Sequence, residues 1–569
     1  MVDEEGQRAA MEAESPTGDG DRTVDDTECT PCLNAERPSE HLSPLSVGNP
    51  HSLSAATLAK CNFAATKYEG QLLRLLLGVS LVAIALSIWF LDPVELLIRK
   101  LFAFHEGSFL YEHWRNPPVP IKHNVFVFNV TNADGFLHRG EKLRVEEVGP
   151  YVYSEHLNNV VLNFNDNGTI TYIPNRTETF SEELSERNAK EDIVIIPNLA
   201  LIALISIVHK YPFYLRWLAI KMLAPLNSQP FISITVNELM LGYEDPLVTL
   251  GNTFLSKSLP ITKIGILDMI QRMNDTITMF TSPDDPSRTD PKLYSIDVMN
   301  GSPGLEYWGY GEKYVETANG TIVPELLKCN SARGTYEAVI LPRYLPENET
   351  MWVYRKYFCR PIPAVFGKNV TAYGLKLRQY KLKDDAYDTP DKNPDNSCYC
   401  DGKNRDCLPA GVSEVSPCYF NVPAAISNPH FLNGDESLLQ AVDGLSPDKE
   451  KHESYFSVLT DLGLPIQGNC KIQINLIART SGMKSISAFH GMFLPIIWFE
   501  TIIGPYPDGL MLLIRVAVNE GPVILKVLAV LFLIAGLLLV LMIISQQFYP
   551  LTHMKNKFNA ARFRKISET

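Results

Sequence analysis

Cys398 and Cys400 stand one residue apart at the end of the run Asn393-Pro-Asp-Asn-Ser-Cys-Tyr-Cys400, and Cys407 and Cys418 follow closely. Thiols at this density can hold zinc, cycle between dithiol and disulfide, or cross-link a fold. Cys329, Cys359 and Cys470 share the central region, while Cys29-Thr-Pro-Cys32 and Cys61 lie near the N-terminus. Other constellations are missing from the sequence, which holds no Gly-x-Ser-x-Gly elbow, HExxH, P-loop or dinucleotide glycine motif. Ser481-Gly-Met-Lys484 has the Ser-x-x-Lys spacing without its companion motifs. His430 and His452 have no acidic or histidine neighbours at metal-ligand spacing and read as surface or hydrogen-bonded histidines. The run Asp448–Glu453 reads as a solvated loop. The expectation is a non-enzyme without catalytic residues, metal or cofactor.

The chemistry open to the cysteines depends on their compartment, so the membrane decides. Leu75–Leu91 and Val527–Ser545 carry no charge, and about 20 helical residues cross a hydrocarbon layer about 30 Å thick. The first run lies too deep for a cleaved signal peptide and reads as a signal anchor. Lys60, Lys67 and Arg74 precede it, and Lys555, Lys557, Arg562, Arg564 and Lys565 follow the second, which favours two cytoplasmic termini. The middle is then outside. Asn129, Asn167, Asn175, Asn274, Asn300, Asn319, Asn348 and Asn369 head Asn-x-Ser/Thr sequons, all between the two runs, as a glycosylated ectodomain requires. In an oxidising compartment disulfides become the default for the cysteines.

The predicted organisation has five parts. Residues 1–71 form a disordered cytoplasmic tail, acidic and poor in aromatics. Residues 72–91 and 523–545 are the transmembrane helices, 92–522 the disulfide-bonded ectodomain, and 546–569 a basic cytoplasmic tail. The ectodomain is mostly β in character, in segments such as Val125–Val130, Val160–Phe164 with Thr169–Ile173, and Cys470–Leu476. Asn163 to Pro174 starts like a calcium loop but has proline where a bidentate glutamate is needed, so it reads as a hairpin turn. Ile193–Leu226 is apolar and helical in pattern, broken by Pro197 and Pro212, and reads as a helix pair rather than a third span. The net charge of −13 argues against nucleic acid.

Spacing alone leaves the cysteine pairing open. A bridge between Cys398 and Cys400 would close a strained ring, whereas Cys400 and Cys407 enclose a polar, turn-rich loop. Cysteine spacing, two terminal spans, Val148–Tyr151, Glu238–Pro246, Pro429–Leu432, Val442–Pro447 and Leu494–Glu500 together resemble the class B scavenger receptor family, from about Gly70 to Ser545. That family holds the fatty-acid translocase, the high-density-lipoprotein receptor, the lysosomal integral membrane protein type 2 and the sensory neuron membrane proteins. The resemblance implies an α+β fold, with a large antiparallel β-barrel ectodomain, an apical helical bundle and an internal lipid tunnel. It implies the bridges Cys329–Cys398, Cys359–Cys418 and Cys400–Cys407, with Cys470 a free thiol. It points to Leu199, Ile202, Ile205, His209, Lys210 and Lys221 as ligand-binding candidates at the apex. The lysines that the fatty-acid translocase carries there fall at Pro225 and Asn227 in this chain.

The implied function is a cell-surface receptor that passes hydrophobic cargo through the ectodomain to the membrane. Its implied partners are lipids, fatty acids, sterols or carotenoids and lipoprotein particles, with homo-oligomerisation left open. The C-terminal tail lacks an acidic-dileucine signal, which favours the plasma membrane over endosomal or lysosomal membranes. The alternatives are an adhesion, phagocytic or lysosomal-targeting receptor for protein partners, and then a two-span ecto-enzyme or channel.

Overall fold

A computed structural model describes residues 55–249, 262–271, 275–281, 292–343, 345–400, 407–480 and 482–566. Residues up to Leu72 form one unit, whose described part is helical, and those from Leu73 form the second. The Asn274 sequon and Cys29, Cys32 and Ser481 lie outside the described residues.

Among the described residues, two helices are long and apolar enough to cross a membrane: Glu69–Leu91 within helix α1 (Ala55–Leu91), and a C-terminal stretch from Asp508 to Gln546. Asp92 ends the first, and its carboxylate accepts the Glu95 N–H to cap α2 (Pro93–Leu101). The two apolar helices touch where neither has a side chain. A Cβ on Gly536 would lie 2.7 Å from the Gly78 carbonyl oxygen, so glycine at both positions permits the backbones to approach.

Between them, alternating β-branched and aromatic residues build a large antiparallel sheet. Eleven strands form its path: β1 (Ile121–Val130), β2 (Leu143–Asn165), β3 (Thr169–Phe180), β4 (Ile277–Phe280), β5 (Ile296–Met299), β6 (Met351–Arg355), β7 (Arg360–Ala372), β8 (Leu375–Leu382), β9 (Tyr455–Leu459), β10 (Leu464–Ile477) and β11 (Phe493–Ile503). Their order is β6-β7-β8-β9-β10-β11-β1-β2-β3-β4-β5. The expected hairpin is the β2–β3 pair, turning at Gly168 in the left-handed region (φ 75°). No ladder among the described residues joins β5 to β6, and the 334–336 segment lies between them, bonded to Ile296 on one side and to Trp352 and Tyr354 on the other. The pairing Lys122↔Ile502 sets the start of β1 beside the end of β11, which returns the chain to the first apolar helix.

The apolar run from Ile193 differs at its start from the helical expectation. Ile193–Pro197 is a strand paired with Phe231–Thr235, as its β-branched residues favour. Then come α3 (Leu199–Val208), capped by the Asn198 side chain on Leu201 N–H, and α4 (Phe213–Leu223). Pro394–Tyr399 is a 3-10 helix capped by the Asn393 side chain, whose Oδ1 accepts the Asp395 N–H.

Buried Arg360 fastens this turn to the sheet. It donates to Asn396 Oδ1 (2.6 Å) and Ser413 Oγ (2.7 Å), and its guanidinium lies 3.8 Å from the Tyr399 ring centre. Cys329 is joined to Cys398, Cys359 to Cys418 and Cys400 to Cys407, with Cα separations of 5.7, 5.8 and 4.8 Å.

Candidate functional site

Helix α3 is apolar apart from buried Ser206, and its two faces have different neighbours. Ile202 and Ile205 are fully packed into the core, so they stand away from the apex surface proposed for them. Leu199, Ala203, Leu204 and Ile207 instead face a cavity of about 150 Å³. Ile474 and Leu476 of β10, Ile496 of β11, Ile266, Met269 and Ile270 complete much of its wall. Asn475 donates from Nδ2 to Ser427 Oγ (3.0 Å) and accepts from Gln473 Nε2 at Oδ1 (2.7 Å), and Tyr357 and Tyr419 are the other polar side chains of the wall. A wall so largely apolar favours apolar guests.

Helix α4 is the exposed partner. Phe213 (72% exposed), Tyr214 and Trp217 project to solvent, with Lys221 Nζ 5.7 Å from the Trp217 ring centre. Lys210 is exposed in the link between the helices. His209 is half-buried, bonded to Arg216 (3.2 Å), and burial together with that guanidinium lowers its pKa. The six apex candidates therefore divide: Leu199 lines the cavity, Ile202 and Ile205 are core, and His209, Lys210 and Lys221 mark the outer rim.

A second chamber of about 60 Å³ shares Ile270 and Tyr357 with the first but is charged. Glu155 of β2 and Glu178 of β3 are direct cross-strand neighbours. Arg176 bonds Glu155 (2.6 Å) and Glu337 (3.3 Å), and His123 Nε2 bonds Glu155 (3.2 Å). Burial raises the Glu155 carboxyl, but the charge of Arg176 and the His123 bond outweigh it and hold the pKa low. Glu178 has no such partner. Its Oε2 is buried without a hydrogen bond, and burial pushes its pKa up to about 7. Sequence reading missed this chamber, although Tyr172, Arg176 and Glu178 share one parity along β3. Charges in register with a buried tyrosine were the available signal.

Among the described residues, two groups bring metal-ligand types within 4.8 Å of one another: Glu147, His430 and His452, and His123, Glu155 and Glu178. In the first, Ser446 N–H donates to His430 Nδ1 (3.1 Å) and Asp448 N–H to His452 Nδ1 (3.0 Å). Both rings therefore carry their proton on Nε2, the nitrogen aimed into the group, which opposes metal ligation there. In the second, Arg176 already supplies the positive charge beside Glu155. The structure also corrects the reading of the segment around His452. Lys449–His452 is a helical turn capped by Asp448, and His452 is 1% exposed rather than part of a solvated loop.

Asn167, Asn175, Asn300, Asn319, Asn348 and Asn369 are exposed. Asn129 is half-buried, and its Oδ1 accepts the Ile195 N–H. Cys470 lies on β10 opposite Thr501, and burial pushes its thiol up to about 11.

A cross-linked α+β body between two apolar helices, with an apolar cavity at its helix layer, fits a membrane-anchored protein. The model of the CD36 family matches residues 75–546, and the chain belongs to that family. It is 27% identical over 432 residues to scavenger receptor class B member 1 of Bos taurus, covering 75% of this chain and 78% of the relative. It is 29% identical over 425 residues to lysosome membrane protein 2 of Homo sapiens, covering 74% and 82%.

Proposed function

We propose that the chain is a cell-surface scavenger receptor that captures lipids or lipid-bearing particles at α3 and α4 and passes hydrophobic cargo through its interior to the membrane. Both termini are cytoplasmic, the sheet and its covering helices act as a barrel around a lipid tunnel, and the exposed sequons carry glycans. The observation that carries this reading is the cavity behind α3, whose wall is apolar almost throughout. Each methylene kept from water there is worth about 0.8 kcal/mol, so an enclosed route favours acyl or sterol cargo over transit through solvent. The aromatic face of α4 supports capture at the entrance. Relatives named as scavenger receptors support the receptor role. The test is transfer of a fluorescent lipid into cells that display the chain, with and without a bulky residue at Ala203. Transfer that ignores the obstruction would reject conduction through this cavity.

A further inference from the structure

The roots of both apolar helices carry more exposed leucine than a water-facing surface would. At the first, α2 follows Leu91 after the single residue Asp92. Val94 and Ile98 pack inward in a cluster with Leu375, Leu377 and Leu459. The outer side of α2 exposes Leu96, Leu97 (56%) and Leu101. At the second root, α5 (Asp508–Arg515) runs through a π-helical turn at Val516–Glu520 into α6 (Gly521–Ile566). Met511 and Ile514 join the same inner cluster, while Leu512, Leu513 (56%) and Val516 are exposed. Their spacing sets them on one helical face.

These roots are braced. Arg343 grips Glu95 of α2 with two bonds of 3.0 and 3.1 Å. Asn519 donates to the Gly374 carbonyl (2.7 Å), tying the turn between β7 and β8, with half-exposed Tyr373, to the second root. Arg99, Lys100 and Arg515 stand among the leucines. Two apolar faces, an exposed tyrosine and basic side chains, all within a few residues of a span, form the pattern of helices that lie in the interfacial layer.

We infer that α2, α5 and the Tyr373 turn form a collar sunk into the headgroup layer of the leaflet beneath the ectodomain, with lipid covering Leu96, Leu97, Leu101, Leu512 and Leu513. The occupant is the bilayer itself, because the chain enters α2 and leaves α5 directly from the spans. This rests on the reading of α1 and α6 as membrane-spanning. The collar holds the base of the sheet against lipid, so that cargo leaving the interior meets acyl chains rather than water.

The test uses the full chain in phosphatidylcholine nanodiscs containing a tritiated phosphatidylcholine. Photoreactive p-benzoylphenylalanine replaces one residue at a time: Leu97, Leu513, Leu531 within the second span, or Ile322 on the exposed hairpin Tyr314–Glu316/Ile322–Pro324. All four are exposed, so the fold tolerates the larger ring. The expected result is lipid adduct at positions 97 and 513 several-fold above position 322 and comparable with 531. Adduct at 531 but only background at 97 and 513 would overturn the collar. Background at 531 as well would instead overturn the reading of α6 as a span, and the collar with it.

Discussion

The rings of His430 and His452 lie face to face, with centroids 4.5 Å apart and planes inclined by 16°. They come from segments that share no local pattern, and Glu147 of β2 closes the group. Its carboxylate accepts from His430 Nε2 (2.6 Å), Trp498 Nε1 (2.7 Å) and Lys451 Nζ (2.8 Å). Burial raises the Glu147 carboxyl, but these donors outweigh it and bring the pKa down to about 2. The network holds β2, β11 and the 428–452 segment together through one ionised acceptor.

Acid should loosen that junction. Burial, then the neighbouring His430 and Lys451, push His452 down to about 4, below its ordinary value of about 6.5. Above pH 6.5 neither the folded nor the unfolded chain holds the proton, and the full stability is present. As pH falls toward 4 only the unfolded chain takes it up, so stability drops, by about 2 kcal/mol from this residue. Its protonation in place would also break the hydrogen bond that Asp448 N–H donates to Nδ1. Melting temperatures at pH 7.4, 6 and 5 should fall more steeply for the native chain than for His452→Phe, which keeps the stack without the titration. Parallel slopes would remove His452 as the cause.

Glu178 predicts the opposite slope. Its carboxyl is raised to about 7, so between about pH 4.5 and 7 the folded chain keeps a proton that the unfolded chain has released. That contribution is present at acid pH and is lost as pH rises through 7. Glu178→Gln, which stays neutral, should exceed the native chain by ~3 kcal/mol at pH 8 and come close to it near pH 5. Thermal melts at the two values decide it. Equal stability at pH 8 would show that the carboxylate is compensated.

Local patterns made much of the protein legible. The spans were visible because one helix must be apolar for its whole length, and the β character of the middle because alternation is periodic in sequence. The resemblance carried the family through short motifs such as Leu494–Glu500, which folds as β11. Non-local groupings were invisible. Glu147 is 283 residues from His430, and nothing in the spacing of either announces the other. The two sides of α3 could not be separated, because the one polar residue of Leu199–Val208, Ser206, is buried and accepts the Arg479 N–H rather than marking solvent. The exposed collar leucines were hidden in the same way beside the longer runs of the spans.

The cross-links should differ in weight. Cys359–Cys418 spans 59 residues of sequence and Cys400–Cys407 only 7. In the chain-entropy account the longer loop stabilises by about 4 kcal/mol and the shorter by about 2.5. Paired serine substitutions at Cys359 and Cys418 should therefore abolish surface display, measured by antibody staining of intact cells, while those at Cys400 and Cys407 only reduce it. Peptide mapping without reduction should return the three pairs and leave Cys470 alone. A mixed pattern including Cys470 would contradict the assignment.

Blocking the cavity separates conduction from capture. Ala203 is small, belongs to the cavity wall and is only partly buried, so a larger side chain there can extend into open space instead of displacing packed atoms. Ala203→Trp should leave surface display and particle binding near native, because the α4 aromatics remain exposed. Transfer of a fluorescent lipid should fall several-fold. Ile202→Trp is the informative contrast, since Ile202 is fully buried on the opposite side. Overpacking there costs about 1–3 kcal/mol, so it should lower display and transfer together. If Ala203→Trp binds and transfers like the native chain, cargo does not pass behind α3, and the cavity is a packing defect of the helix layer.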